Sequence, residues 1–331
     1  ASGPVVVCHG DFHPLNVMVD GDEASVIDWT DAGLGPREAD VSRTVLLFHL
    51  AAIAANGRVE RTALRVAGPR MAGRYRSSYE AGAVLDEPRL VTAAGRIAAY
   101  LERVHWRPGT GGEPGTLRRV SHNGVARGIG GLLEDYAFCV EGLIALYAVT
   151  GRTRWYRLAE GILAAACARF TTDGTLRDAA GESDQVSHAQ GGRAPLELFD
   201  GATPSGAAAF AGALLSCSAL SGSEEHRALA GNILSLLPPL AARAPRVGGW
   251  LLATAQAALA GPVEAAVVGP DTPERAALHR ELLLSPSPGL VIALQDVPGN
   301  AGDDAEVPLL RGRGAAPDAA PQVYLCRGTV C

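Results

Sequence analysis

The 331 residues contain no lysine: all 29 basic side chains are arginine. Chemistry that needs an ammonium on a flexible stem is therefore excluded from this sequence. That covers Schiff-base formation and the lysine that grips nucleotide phosphates in P-loop and kinase sites. Positive charge is also outnumbered, 29 against 35 acids, for a net charge of −6. A chain so balanced lacks the electrostatic footprint of nucleic-acid or anionic-membrane binding. No apolar run reaches the roughly 18 residues that a membrane-spanning helix needs. The opening, ASGPVVVCHGD, has no basic segment followed by an apolar one, so no leader peptide is read there; without a Met it reads as a truncated beginning. No CxxC pair occurs among Cys8, Cys139, Cys167, Cys217, Cys326 and Cys331. Most lie in apolar surroundings and read as small buried hydrophobes of a reducing cytoplasm.

What is present is a core-forming composition, 47% hydrophobic and 19% charged. The length suits about two domains. Residues 4–8 (PVVVC) read as a buried strand. The apolar runs 16–19 and 24–28, separated by Asp20, Gly21, Asp22 and Glu23, read as a hairpin. Helices are predicted over 38–56, 59–82 and 88–106, the last with Asp86 as N-cap and Pro88 in its first turn. The cluster RPGTGGEPGT at 107–116 reads as a linker. Beyond it, helices are predicted over 132–150, 152–170, 206–221, 224–242 and 246–260. The turns at Thr150-Gly151 and Ser221-Gly222 are short enough to make antiparallel helical hairpins. The polar stretch 173–205 is long for a loop in a compact domain, which marks it as functional or disordered. Near the end, 264–269 and 289–297 read as buried strands around a helix at 273–284, with VPLLRG and QVYLC as further short strands.

The hairpin carries the chemistry. With 20–23 as its turn, Val19 faces Ala24, Asn16 faces Ile27, and Asp28 lies one step beyond. An amide and a carboxylate then converge at the open end, and the loop carrying Asp11 enters at that end. Magnesium takes hard oxygen ligands, often only one or two from protein. An acid left free beside them is placed to act as a base. His9, Asp11 and His13 also alternate, as metal ligands on one strand face would, but Pro14 follows directly and no further cluster completes such a site.

The string HGDFHPLN (9–16) followed by VIDW (26–29) resembles the aminoglycoside phosphotransferase family and its choline-kinase-like relatives. DAGLGPREADVSRT (31–44) resembles the segment that follows their magnesium loop. The resemblance spans residues 1–106. It implies a kinase-like C-lobe with Asp11 as catalytic base, Asn16 and Asp28 as Mg²⁺ ligands, His9 organising the loop, and Asp40 supporting it while also capping a helix. It further implies ATP-dependent phosphoryl transfer to a small hydroxylated molecule. The family's nucleotide lobe would precede these motifs and is expected to be missing.

Residues 112–331 resemble the C-terminal part of the thioredoxin-domain-containing, spermatogenesis-associated family, on LLEDYAFCVEGLIALYAVTGRTRWYRLAEGIL (132–163), ELFDGATPSGAAAF (197–210), PVEAAVVGP (262–270) and VYLCRGTVC (323–331). The resemblance implies an α/α-toroid of the six-hairpin glycosidase kind. Asp135, Tyr136, Asp200 and Ser205, with Glu197 as a weaker member, would line its mouth, where two facing carboxylates could cleave a glycoside. The expected architecture is mainly α with small β elements: a kinase-like C-lobe over 1–106, a linker at 107–116, a partial toroid over 117–262 and a small α/β appendage over 263–331. The expected function is a phosphotransferase C-lobe fused to a toroid. The alternatives are a sugar-binding toroid with the kinase segment as packing, or a non-catalytic scaffold or fusion fragment.

Overall fold

The computed structural model describes residues 5–8, 17–20, 23–26, 33–36, 87–172, 175–180, 196–201, 203–244, 247–285, 287–295, 307–313 and 320–327. The chain divides into two compact units, Ala1–Asp86 and Glu87–Cys331.

The first unit contains two described antiparallel strand pairs. β1 (Val5–Cys8) pairs with β4 (Gly33–Pro36), with Val5 opposite Pro36 and Cys8 opposite Gly33. β2 (Val17–Asp20) and β3 (Glu23–Val26) form the hairpin. Val19 stands opposite Ala24, as the sequence predicts, while Asp20 and Glu23 pair as well, so only Gly21 and Asp22 connect the strands. Two-residue links with glycine first are among the favoured hairpin connections. The helices predicted over 38–56 and 59–82, and Asp86, lie outside the described residues.

The second unit opens with α1 (Glu87–Tyr100), which has Pro88 in its first turn. It widens into a π-helical turn, Leu101–His105, and passes into β5 (Trp106–Arg107). β5, β6 (Thr116–His122) and β7 (Val125–Gly130) form a three-stranded sheet. The segment 107–116, read as a linker, closes a turn inside this unit instead. Glu113 donates its backbone N–H to Thr110 at 3.1 Å. Gly115 lies so close to Trp106 that a Cβ there would stand 2.3 Å from the indole. The Pro/Gly cluster thus serves a tight crossing rather than a flexible joint.

α2 (Leu133–Thr150) and α3 (Thr153–Phe170) form one helical hairpin. Gly151 joins them at φ 68°, a left-handed C-cap that glycine adopts without a Cβ penalty. α3 leads into a two-rung ladder of β8 (Thr171–Thr172) and β9 (Thr175–Leu176). α4 (Gly206–Ser221) is capped by Ser205, whose Oγ accepts the Ala208 N–H at 3.2 Å. Its alanines pack close, and Phe210 and Leu214 are wholly buried, so α4 is the central helix of the core. α5 (Glu224–Leu234) and α6 (Leu237–Arg243) replace the single helix predicted over 224–242. Pro238 and Pro239 cannot donate backbone hydrogen bonds to a preceding turn, so a new helix starts at their position. α7 (Gly249–Ala260) closes the helical layer.

β10 (Val263–Val268) runs between β11 (Leu290–Leu294), parallel, and β12 (Gln322–Arg327), antiparallel, with α8 (Pro273–Leu283) as the crossover. Expected as an appendage, this sheet shares the helical core. Ala266, Val268, Val291 and Ala293 join the main cluster, while Ala265, Val267, Ile292 and Leu294 form a second cluster on the other face. Alternation along each strand explains the division. The run VPLLRG, expected as a strand, forms a 3₁₀ turn at Pro308–Leu310, with Leu309 and Leu310 buried. Cys139, Cys167 and Cys217 are free thiols, and burial raises all three, Cys139 to about 12 and Cys167 to about 11. Cys326 is disulfide-bonded, which departs from the expectation of reduced cysteines throughout.

Candidate functional site

Two strand pairs frame the motif-bearing segments of the first unit. Residues 9–16 leave β1 at Cys8 and enter β2 at Val17. Residues 27–32 leave β3 at Val26 and enter β4 at Gly33. Cys8 is paired with Gly33, and Val17 with Val26. Both segments therefore connect the same two rungs of backbone. Paired antiparallel residues stand only about 4.5–5.5 Å apart, so the residues that flank the two segments are paired at both ends. Asp11 and Asn16 lie on one, and Asp28 on the other. His9, Asp11, Asn16, Asp28 and Asp40, together with His13, lie outside the described residues.

Residues 1–76 match the phosphotransferase enzyme family. The phosphotransferase-like segment thus contains the whole HGDFHPLN string, the VIDW string and both strand pairs, and it ends inside the first unit. No curated protein matches the chain.

In the second unit the structure gives the singled-out residues specific partners. Asp135 sits in the first turn of α2 and accepts the Leu132 N–H at 2.8 Å, closing the helix start. Burial raises its carboxyl, opposed by that hydrogen bond and by Arg119, which lies 3.5 Å away. Tyr136 is 1% exposed. Its hydroxyl accepts the Leu117 N–H at 2.8 Å, and its ring meets Phe170 edge-on at 5.2 Å. Asp200 accepts from the Ser205 N–H at 2.9 Å with one oxygen and from the Trp250 N–H at 2.8 Å with the other, tying the start of α4 to that of α7. Ser205 caps α4. Glu197 accepts the Phe199 N–H at 2.8 Å within its own loop.

The structure adds residues that motif reading missed. Asp178 links the start of α2 to the loop at Glu197: its carbonyl accepts the Leu133 N–H at 3.0 Å, and its carboxylate accepts the Glu197 N–H. Burial lifts the Asp178 carboxyl to about 6; the Glu197 hydrogen bond opposes this, while the charges of Glu197 and Glu134 add to it. Glu134 in turn takes Arg119 at 2.6 Å on the surface. Asp135 and Asp178 are thus neighbours of Glu134, whereas Tyr136 faces the core and Asp200 lies at the α4–α7 junction. Asp178 falls within the polar stretch 173–205, and that location was the available signal. Glu141 on α2 was signalled by its isolation in the apolar run FCVEGLIAL. Among the described residues no group of three or more His, Cys, Asp or Glu is arranged to hold a metal, and no helix is long and apolar enough to cross a membrane.

Proposed function

We propose that the first unit carries the phosphoryl-transfer centre of a small-molecule phosphotransferase. The observation that supports this most is the match of residues 1–76 to the phosphotransferase family, beside the pairing of Val17 with Val26 in the hairpin. Asp11 accepts the proton of the acceptor hydroxyl and orients it for attack. Asn16 and Asp28 offer an amide oxygen and a carboxylate, a hard donor set suited to Mg²⁺. Bound Mg²⁺·ATP would supply the phosphoryl group and neutralise the charge that develops on it. His9 holds the loop, and Asp40 supports it from the following segment. With no lysine in these 331 residues, any cationic side-chain contact they make to the phosphates comes from an arginine or a protonated histidine.

Calorimetry of the full chain with ATP·Mg²⁺ tests the reading. Binding is expected in wild type and is lost in Asp28→Ala, while Asp11→Ala keeps binding but loses transfer to an acceptor, by about 10²–10⁴-fold for removal of a general base. No heat at millimolar ATP would sink it; failure of the sugar assay below as well would leave a non-catalytic scaffold.

A second reading, a sugar-binding helical domain of the six-hairpin kind, draws support from Asp178, whose raised carboxyl lies beside Glu134 and Glu197. Glycoside cleavage pairs a protonated with an ionised carboxyl. A sugar that raises Tm in wild type but not in Asp178→Asn, with Asp11→Ala unaffected, would favour this reading over the first.

A further inference from the structure

A cavity of about 520 Å³ opens in the second unit between α2, α4, α5, α7 and the start of β11. Its volume is that of a small-molecule site. Most of the wall is apolar, with Leu215, Ala219, Leu234 and Trp250 among the lining residues. The polar groups are few, and what each already does decides what is left for a ligand.

Glu141 reaches the cavity from α2 across Gly212 of α4. A Cβ at Gly212 would stand 2.5 Å from Glu141 Oε1 and 3.8 Å from Thr254 Oγ1, so the missing side chain leaves the room that the carboxyl occupies, with the hydroxyl also within reach of that point. Among the described residues Glu141 meets neither a hydrogen-bond donor nor a cation, and burial alone pushes its carboxyl up to about 7. An ionised carboxylate in such a place is costly unless something pairs with it.

The two engaged hydroxyls of the wall have already spent their protons. Thr254 donates to the Trp250 carbonyl at 2.9 Å, and Ser218 donates to the Ser223 carbonyl at 2.8 Å. Both keep only lone pairs to offer. Ser216 can act either way. Arg227, the one cation on the wall among the described residues, has Glu224 at 3.9 Å and lowers the Glu264 carboxyl of β10, so it faces acids other than Glu141. The unmet demand of the cavity is for a donor, and for a positive one, with hydrocarbon behind it.

We propose that this cavity is a binding site for a small amphipathic amine, whose ammonium pairs with Glu141 beside Thr254 and whose apolar body lies along Leu215, Leu234 and Trp250. The site lies wholly in the second unit and stands or falls independently of the phosphotransferase reading.

The probes are n-octylamine, 1-octanol and octanoate, titrated into the full chain at pH 8 with Trp fluorescence and thermal shift as readouts. Octylamine is expected to bind best, octanoate worst, with the amine about tenfold or more ahead of the alcohol, as one buried charge pair allows. Glu141→Gln is expected to erase that preference while leaving octanol binding unchanged. Gly212→Ala, which fills the niche and displaces the carboxyl without altering charge, is expected to act in the same direction. Equal binding of all three probes, no binding of octylamine, or an amine preference that survives in both variants would overturn the proposal.

Discussion

Glu141 shows how one side chain links stability to pH. Its carboxyl titrates near 7 in the folded chain because burial disfavours the charge, whereas an unfolded chain releases that proton near the ordinary value of about 4.3. Between these two values the native state holds a proton that the unfolded state has lost. The contribution of Glu141 to stability therefore falls as pH rises through that window and is constant above and below it. Glu141→Gln removes the penalty. The variant is expected to match wild type near pH 4.5 and to exceed it by ~1–3 kcal/mol at pH 8, measured as ΔTm across a pH series; equal Tm at pH 8 would mean that the carboxylate is solvated. At this scale the sequence was legible in HGDFHPLN, whose resemblance agrees with the match of residues 1–76 to the phosphotransferase family. It was less informative where a polar group near a helix start also serves that start. Asp135, Asp200 and Ser205 each accept at least one backbone N–H, Asp135 while also facing Arg119. Glu141 was passed over because nothing in one dimension shows that Gly212 opens a niche for it.

At the scale of elements, backbone chemistry decided what could be read. The register of β2 with β3 followed from apolar runs and a short turn. The bounds of α2, α3 and α4 followed from Gly151, Gly222 and the apolar periodicity, because glycine ends helices for a local reason. The β6–β7 hairpin was equally available: Asn123 and Gly124 sit at its tip with φ 49° and 75°, the signature of a type I′ turn. It was overlooked because the strands around it carry mixed, largely exposed side chains instead of a clean apolar alternation. Gly124→Ala is expected to cost about 1–2 kcal/mol, the penalty of a Cβ in the left-handed region, read as a lower midpoint in urea; there is open space around the position, so conformational strain is the only cause available. The break between α5 and α6 is the reverse case, where a prolyl pair outweighs an apolar pattern that continues across it.

Across its whole length the chain divides into two units: the first has two strand pairs among its described residues, and the second is a helical core sharing its apolar interior with a three-stranded sheet. The Pro/Gly cluster at 107–116 drew attention as a joint, yet the division falls at Asp86 and Glu87, where composition gives no sign. Punctuation residues mark sharp turns as readily as boundaries, and only long-range packing distinguishes the two. Residues 87–331 produced alone are expected to fold, with a single cooperative melt by circular dichroism and the octylamine response intact; a broad, non-cooperative melt would mean that residues 1–86 complete the core. If the fragment holds, a split intein placed at this junction would join an isotopically enriched half to an unenriched one. The NMR spectrum of either body could then be recorded within the intact protein, free of the other's signals.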